Sequence, residues 1–245
     1  MNATTASILT WNTQFAPPRT ARGKAIRGIL EARNGDVVVL TEAFPDTLTT
    51  GGYVIYSSAD YGYRTNGHCR KVVLWSKCPW RDTDDIGHPD LPSGRFIGGS
   101  TETPLVVVRV LGVCIPWKDA HVHTGRKDRL PWEDHLKYLS ALGHVLRGVA
   151  GHKHVIVAGD WNQRLPAARV PLHVSETLAR TFKNMSIATA GPLPPLQRHA
   201  IDHVAHTPAL ISCNVESWSE HGPNNARLSD HFGVAVRVRS AVTLR

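Results

Sequence analysis

The sequence predicts an α/β fold in which two β-sheets pack together with helices outside. Two observations carry this expectation. Short, β-rich apolar runs recur along the chain, and only some of them are joined by segments of helical periodicity. A third sets the scale: 245 residues can bury a full core, and the expectation is one domain over residues 1–245.

The elements follow in order. Residues 7–10 open as an apolar strand. Residues 19–33 place Ile26, Ile29 and Leu30 on one helical face, and Asn34-Gly35 supplies the stop. Residues 37–41 resume as a fully buried strand, so the chain begins strand, helix, strand. Residues 72–75 and 105–115 read as further strands. Residues 132–149 repeat Leu136, Leu139, Leu142 and Leu146 at helical spacing, a face meant for the core. Residues 155–158, 201–205 and 232–238 complete the strands. The Pro- and Gly-bearing stretches 87–99, 191–195 and 222–225 read as loops, because strands resume after each.

Composition narrows the function classes. Lys plus Arg is 28 against 20 for Asp plus Glu, a net charge of +8 that favours polyanionic partners, nucleic acid among them. The basic residues spread over 19–33, 118–137 and 237–245 without forming a dense tail. Four cysteines, Cys69, Cys78, Cys114 and Cys213, are too few and too dispersed for a disulfide scaffold, so reduced thiols are expected. The opening MNATTASILTWNTQFAPP lacks a basic region followed by an apolar stretch, and no window approaches the ~20 apolar residues of a membrane span. A cytoplasmic protein is expected, with a monomer favoured.

Four strands end in polar groups that a core would not want. Residues 8–11 end at Asn12 and residues 37–41 at Glu42. Residues 155–158 run into Gly159-Asp160-Trp161-Asn162, and Arg227-Leu228-Ser229 leads into Asp230-His231. Asp202 interrupts the apolar context of "AIDHVAH". Singly, an Asp after a strand is more often a turn former or helix cap. Together these groups suit one chemistry. Glu42, Asp230 and the Asn12 amide are hard oxygen ligands for Mg²⁺ or Mn²⁺, and no paired-Cys or H-E-x-x-H motif calls for zinc. With phosphate charge neutralised, Asp160 is placed to accept a proton from water, Asn162 to orient the reactants and His231 to meet the developing charge.

"LTWNTQ", "VVLTEAF", "VAGDWNQR", "IDHVAH" and "LSDHFGVAV", in this order, resemble the endonuclease/exonuclease/phosphatase superfamily with its DNase I-like fold. The resemblance covers nearly the whole chain. It implies a four-layered α/β sandwich, two packed mixed β-sheets flanked by helices, and metal-dependent hydrolysis of phosphoester bonds. It makes Asn12 the first-strand asparagine and Glu42 the main metal-binding glutamate. Asp160 becomes the water-activating aspartate, with Asn162 beside it. Asp202 is implied to hold His231, and Asp230-His231 is the closing pair.

The sequence departs from that pattern in places. Gln14 stands where related endonucleases often carry Asp, removing one possible metal charge. Cys114 stands where a His or Tyr phosphate contact is expected, with His121 and His123 as candidate replacements. Arg164, Lys118, Arg126, Lys127 and Arg129 are candidate phosphate contacts, and Trp117, Trp132 and Trp80 candidate stacking residues, although such side chains more often face water or pack. The leading expectation is a nuclease acting on nucleic acid. The alternatives are a phosphatase or phosphodiesterase of a small or lipid phosphoester, and a catalytically weak nucleic-acid-binding member of the fold. His203 after Asp202, where phosphoinositide phosphatases typically have Arg, argues against the lipid branch.

Overall fold

A computed structural model describes residues 4–49, 51–64 and 68–241; the end of the basic stretch 237–245 and the first residues of the amino-terminal stretch lie outside it. The strands are β1 (Ala6–Asn12), β2 (Val37–Ala43), β3 (Tyr53–Tyr56), β4 (Arg70–Ser76), β5 (Trp80–Asp84), β6 (Phe96–Glu102) and β7 (Val107–Cys114). They continue with β8 (Val155–Asp160), β9 (Ser186–Ile187), β10 (Pro192–Leu193), β11 (Arg198–His199), β12 (Asp202–His206), β13 (Leu210–Trp218) and β14 (Gly233–Ser240). The helices are α1 (Ala21–Arg33), α2 (Glu133–Gly148) and α3 (Leu172–Thr181).

Two six-stranded sheets result, ordered β13-β14-β1-β2-β4-β3 and β5-β6-β7-β8-β12-β9. Each is mixed. β1 and β2 run parallel in the first, β7 and β8 parallel in the second, and the remaining pairs are antiparallel. The helices sit on the crossovers that parallel pairing requires: α1 joins β1 to β2 and α2 joins β7 to β8.

Alternation along the central strands fills three layers of core. Ile8, Val37, Val39 and Leu74 of the first sheet meet Val108, Val110, Ile156 and Val204 of the second in the middle layer. Leu9, Val38 and Leu40 point the other way, onto Ile26 and Leu30 of α1. Leu111, Val113, Val155 and Val157 pack against Tyr138, Leu139 and Leu142 of α2 and Leu178 of α3. The order is helix, sheet, sheet, helices, which is the four-layered sandwich. Strands buried on both faces read as unbroken apolar runs, the pattern of residues 37–40 and 155–158.

Local chemistry fixes the helix ends. The Thr20 hydroxyl accepts the Gly23 N–H at 3.1 Å, and Asn34 turns left-handed at φ 48° to close α1. The expected loop 87–99 is shorter than the sequence suggests, because Phe96 to Gly99 already belong to β6. Its glycines hide the strand. A side chain at Gly99 would collide with Ile55 and Trp80, so the missing Cβ atoms make room for neighbours rather than a turn. Within 191–195, Pro192 and Leu193 pair with β11, a two-residue ladder too short to show as periodicity. No helix of the described residues is long and apolar enough to cross a membrane.

Candidate active site

The polar ends of β1, β2 and β8, the start of β12 and the loop before β14 converge on one cleft of about 350 Å³. Asn12, Glu42, Asp160, Asn162, Asp230 and His231 all line it. Asp202 lies beneath, 1% exposed, reaching His231 from below. A larger cavity of about 680 Å³ between α2 and α3 is lined by no carboxylate, whereas Glu42, Asp160 and Asp230 all line the smaller one.

Asp160 is the best-held group. Register places it between Cys114 of β7 and Asp202 of β12. Its Oδ1 accepts the Asn162 backbone N–H at 2.9 Å, and its Oδ2 accepts the Asn162 and Asn12 side-chain amides, both at 3.1 Å. Gly159 lets the strand reach that point: its φ is 136°, and a Cβ there would run into the Val113 carbonyl. Burial pushes the Asp160 carboxyl up to about 7, with His231 pulling it down and Asp202 and Glu42 adding to the rise.

His231 is tied to Asp202, Nδ1 to Oδ2 at 2.6 Å, while its carbonyl accepts the Trp11 indole N–H at 2.8 Å. Burial alone would lower this imidazole. The charges of Asp202 and Asp160 outweigh burial and, with the Asp202 hydrogen bond, raise it to about 10, so the ring is a cation at neutral pH. Asp230 Oδ1 stands 3.9 Å from Nε2 on the solvent side.

Among the described residues, Asp160, Asp202 and His231 form the one His/Cys/Asp/Glu group compact enough to hold an ion, their ligand atoms within 4.8 Å of one another. Two members of this group, Asp202 and His231, are already joined by their own hydrogen bond. Glu42 and Asp230 stand outside this group but on the same cleft, and Glu42 Oε1 pairs with Lys71 Nζ at 2.6 Å. Glu42 adopts φ 48°, an unfavourable backbone for Glu that turns its side chain out of the strand's alternation.

Behind the cleft, neutral histidines pin the loop after Asp160. His135 donates from Nδ1 to the Pro116 carbonyl at 2.7 Å and accepts the Gln163 amide at Nε2, also at 2.7 Å. His203 Nε2 donates to the Gln163 carbonyl at 2.9 Å. Burial lowers both rings to about 4. Trp161 turns back into packing, stacked on Phe182 at 3.9 Å.

Other expected contacts are elsewhere. His121 is buried, stacks on Tyr63 at 4.3 Å and accepts the Arg126 N–H; neither it nor the exposed His123 lines the cleft. Arg126 and Arg129 are engaged with Asp128 and Asp134, and so brace their own loop. Arg164 lines an adjoining pocket with Arg198 and His199. Trp117, 44% exposed, does line the cleft, whereas Trp80 packs on the core and Trp132 on His135. Lys71 and Arg95 line the cleft although the sequence reading did not single them out. One signal was available: Lys71 is a charge opening the buried run "KVVLW".

The sequence model of the Endonuclease/Exonuclease/phosphatase family matches residues 9–231. No curated protein matches the chain. Among solved structures the chain is similar to an endonuclease/exonuclease/phosphatase from Beutenbergia cavernae, with 18% identity over 97% of this chain and 72% of that one and a TM-score of 0.65. It is also similar to the 3′ phosphatase NExo from Neisseria bound to a product DNA hairpin, with 17% identity, 94% and 98% coverage and a TM-score of 0.67. D. rerio TDP2 complexed with a single-strand DNA product is a third, at 13% identity, 96% and 99% coverage and a TM-score of 0.67. At these identities the structural likeness speaks for the fold, while the family match runs from Leu9 in the first motif to His231 in the last. The chain belongs to the Endonuclease/Exonuclease/phosphatase family.

Proposed function

We propose that this chain is a divalent-metal-dependent phosphodiesterase that hydrolyses nucleic-acid backbones by water attack. One observation carries the reading: Asp160 held by Asn12 and Asn162, and His231 held by Asp202, face a single cleft that Glu42 and Asp230 also line. A phosphoester hydrolase is the activity class the family supports. The similar NExo and TDP2 structures hold DNA products, and the +8 charge suits a polyanion.

The donor set fits a hard divalent ion. Glu42, Asp230 and the Asn12 amide offer oxygen ligands suited to Mg²⁺ or Mn²⁺. When bound, such an ion would add positive charge against the phosphoryl oxygens. The side chains do the rest. Asp160, fixed on both oxygens, takes the proton of the attacking water as the new P–O bond forms and the bond to the leaving oxygen breaks. The leaving oxygen takes its proton from solvent. His231, cationic and immobile, faces the charge that builds on the phosphoryl oxygens. Trp117 offers an exposed ring at the cleft on which a base could stack. His203, buried against Gln163 and Thr189, adds no cation to the cleft, which favours nucleic acid over an inositol phosphate.

The test is hydrolysis of plasmid DNA, single-stranded DNA, RNA and a bis-phosphodiester with Mg²⁺, Mn²⁺ or chelator, with Asp160→Asn in parallel. Metal-dependent cleavage that is lost in the variant is expected. Silence on all four would turn the reading toward a small or lipid phosphoester or a pure binder; activity undiminished by Asp160→Asn would remove the site assignment.

A further inference from the structure

The cleft holds three cationic side chains, and two of them have a carboxylate partner. Lys71 is paired with Glu42 and His231 with Asp202, each at 2.6 Å. Arg95 has none. It is 3% exposed and makes no ion pair among the described residues, and its side-chain contacts are long: 3.4 Å to the Cys114 carbonyl and 3.9 Å to the Cys114 sulfur. Burial pushes the Cys114 thiol up to about 12, so the sulfur is no anion for it. The Tyr61 ring lies 5.9 Å from the guanidinium carbon, at the outer limit of a cation–π contact, and a neutral ring is no counter-ion.

A guanidinium removed from water without an anion is costly, and a fold that keeps one in place presents it to something. The main chain at this residue is built to do so. The Arg95 carbonyl accepts both the Cys114 N–H at 3.0 Å and the Tyr138 hydroxyl at 2.8 Å, clamping the residue between β7 and α2. We propose that Arg95 grips the phosphate group of the substrate directly, with its planar fork on two phosphoryl oxygens, and does so without a metal. This rests on the phosphoester reading of the cleft but adds an anchor independent of the ion and of the water-activating carboxylate.

Calorimetric titration of inorganic phosphate into the chain in excess EDTA tests it. Wild type binds phosphate, and Arg95→Met weakens binding by about tenfold or more, the scale of one charge-assisted pair of hydrogen bonds. Arg95→Lys, which keeps the charge but loses the fork, falls between them. Arg147→Met, on the far cavity, serves as the control and binds as wild type does. Thermal melting supplies a second readout. Without phosphate the Met variant melts no lower than wild type, because an unpaired buried charge has been removed, and a given phosphate concentration raises the melting point of wild type more than that of the variant. Wild type that does not bind phosphate in EDTA, or Met and Lys variants that bind as wild type does, would overturn the assignment. Since no turnover is read, a chain inactive on every ester can still pass, and an active one can still fail.

Discussion

Replacing Asp202 by Asn isolates what the buried carboxylate does for His231. Moving an imidazole from 6.5 to about 10 amounts to about 5 kcal/mol in favour of the charged ring, at ~1.4 kcal/mol for each tenfold change in proton affinity. Burial opposes that shift, and Asp202 is the foremost influence raising it, by charge and by hydrogen bond. Asp202→Asn should therefore drop the ring to neutral pH or below. The variant is neutral at pH 8, while wild type is still charged. Turnover at pH 8 should fall by about 10⁴, the scale seen when an amide replaces a carboxylate that orients a catalytic imidazole. NMR titration of the histidine ring protons reads the first effect and initial rates the second. Stability carries the same sign. A folded-state value raised above the unfolded one contributes stability that is full below about 6.5 and lost as pH rises through about 10, so wild type should weaken with alkali more steeply than the variant. A wild-type His231 that titrates near 6.5, or full turnover of the variant at pH 8, would refute the reasoning.

Other outcomes follow from the same geometry. The metal-free carboxyl of Asp160 is raised to about 7, and a general base works only when deprotonated, so kcat/KM at limiting metal should rise with pH through about 7; a flat profile from pH 5 to 8 would count against it as the base. Glu42→Gln should raise the Mg²⁺ concentration needed for half-maximal rate and weaken Mn²⁺ binding by calorimetry, and unchanged titrations would deny it a ligand role. Gly159→Ala forces a side chain into the Val113 carbonyl at φ 136° and should cost about 3 kcal/mol or more in urea unfolding. Leu142→Ala, at a fully buried position on α2 remote from the cleft, should cost about 2–5 kcal/mol while leaving the rate per folded molecule intact.

Much of this was legible in the sequence, and the reasons are physical. Strands buried on both faces announce themselves as apolar runs, so β1, β2, β7 and β8 could be read directly, while β14 shows through its alternating buried Val234, Val236 and Val238. The glycines of β6 fit close neighbours and imitate a loop, and β13 alternates exposed polar residues around Val215 too irregularly to show a period. The cleft residues Asn12, Asp160, Asn162 and Asp230-His231 stood out because polar groups follow apolar strands. Lys71 and Arg95 did not. A cation is unremarkable in a chain with 28 of them, and only folding shows that one is spent on Glu42 and the other is left without a counter-ion. His121 illustrates the converse, since the first histidine of an H-x-H pair near the expected segment proves to be a packing element of its own loop while His123 is exposed.

Of the two hydrogen bonds that define the cleft, Asn12 to Asp160 runs from one sheet to the other, and Asp202 to His231 runs from β12 of the second sheet to the loop that enters β14 of the first. Neither sheet owns a working half. The alignment of the two is maintained by the apolar middle layer, which is non-directional, and by a few bonds between the sheets such as Ser76 Oγ to Thr101 Oγ1 at 2.8 Å and the Trp80 indole N–H to the Tyr53 carbonyl at 3.0 Å. A shift of about 1 Å would break both cleft bonds while every strand ladder stayed whole. Mild denaturant should therefore silence the chain before circular dichroism registers any loss of strand, which makes turnover the finest available gauge of how the two halves of the sandwich are seated.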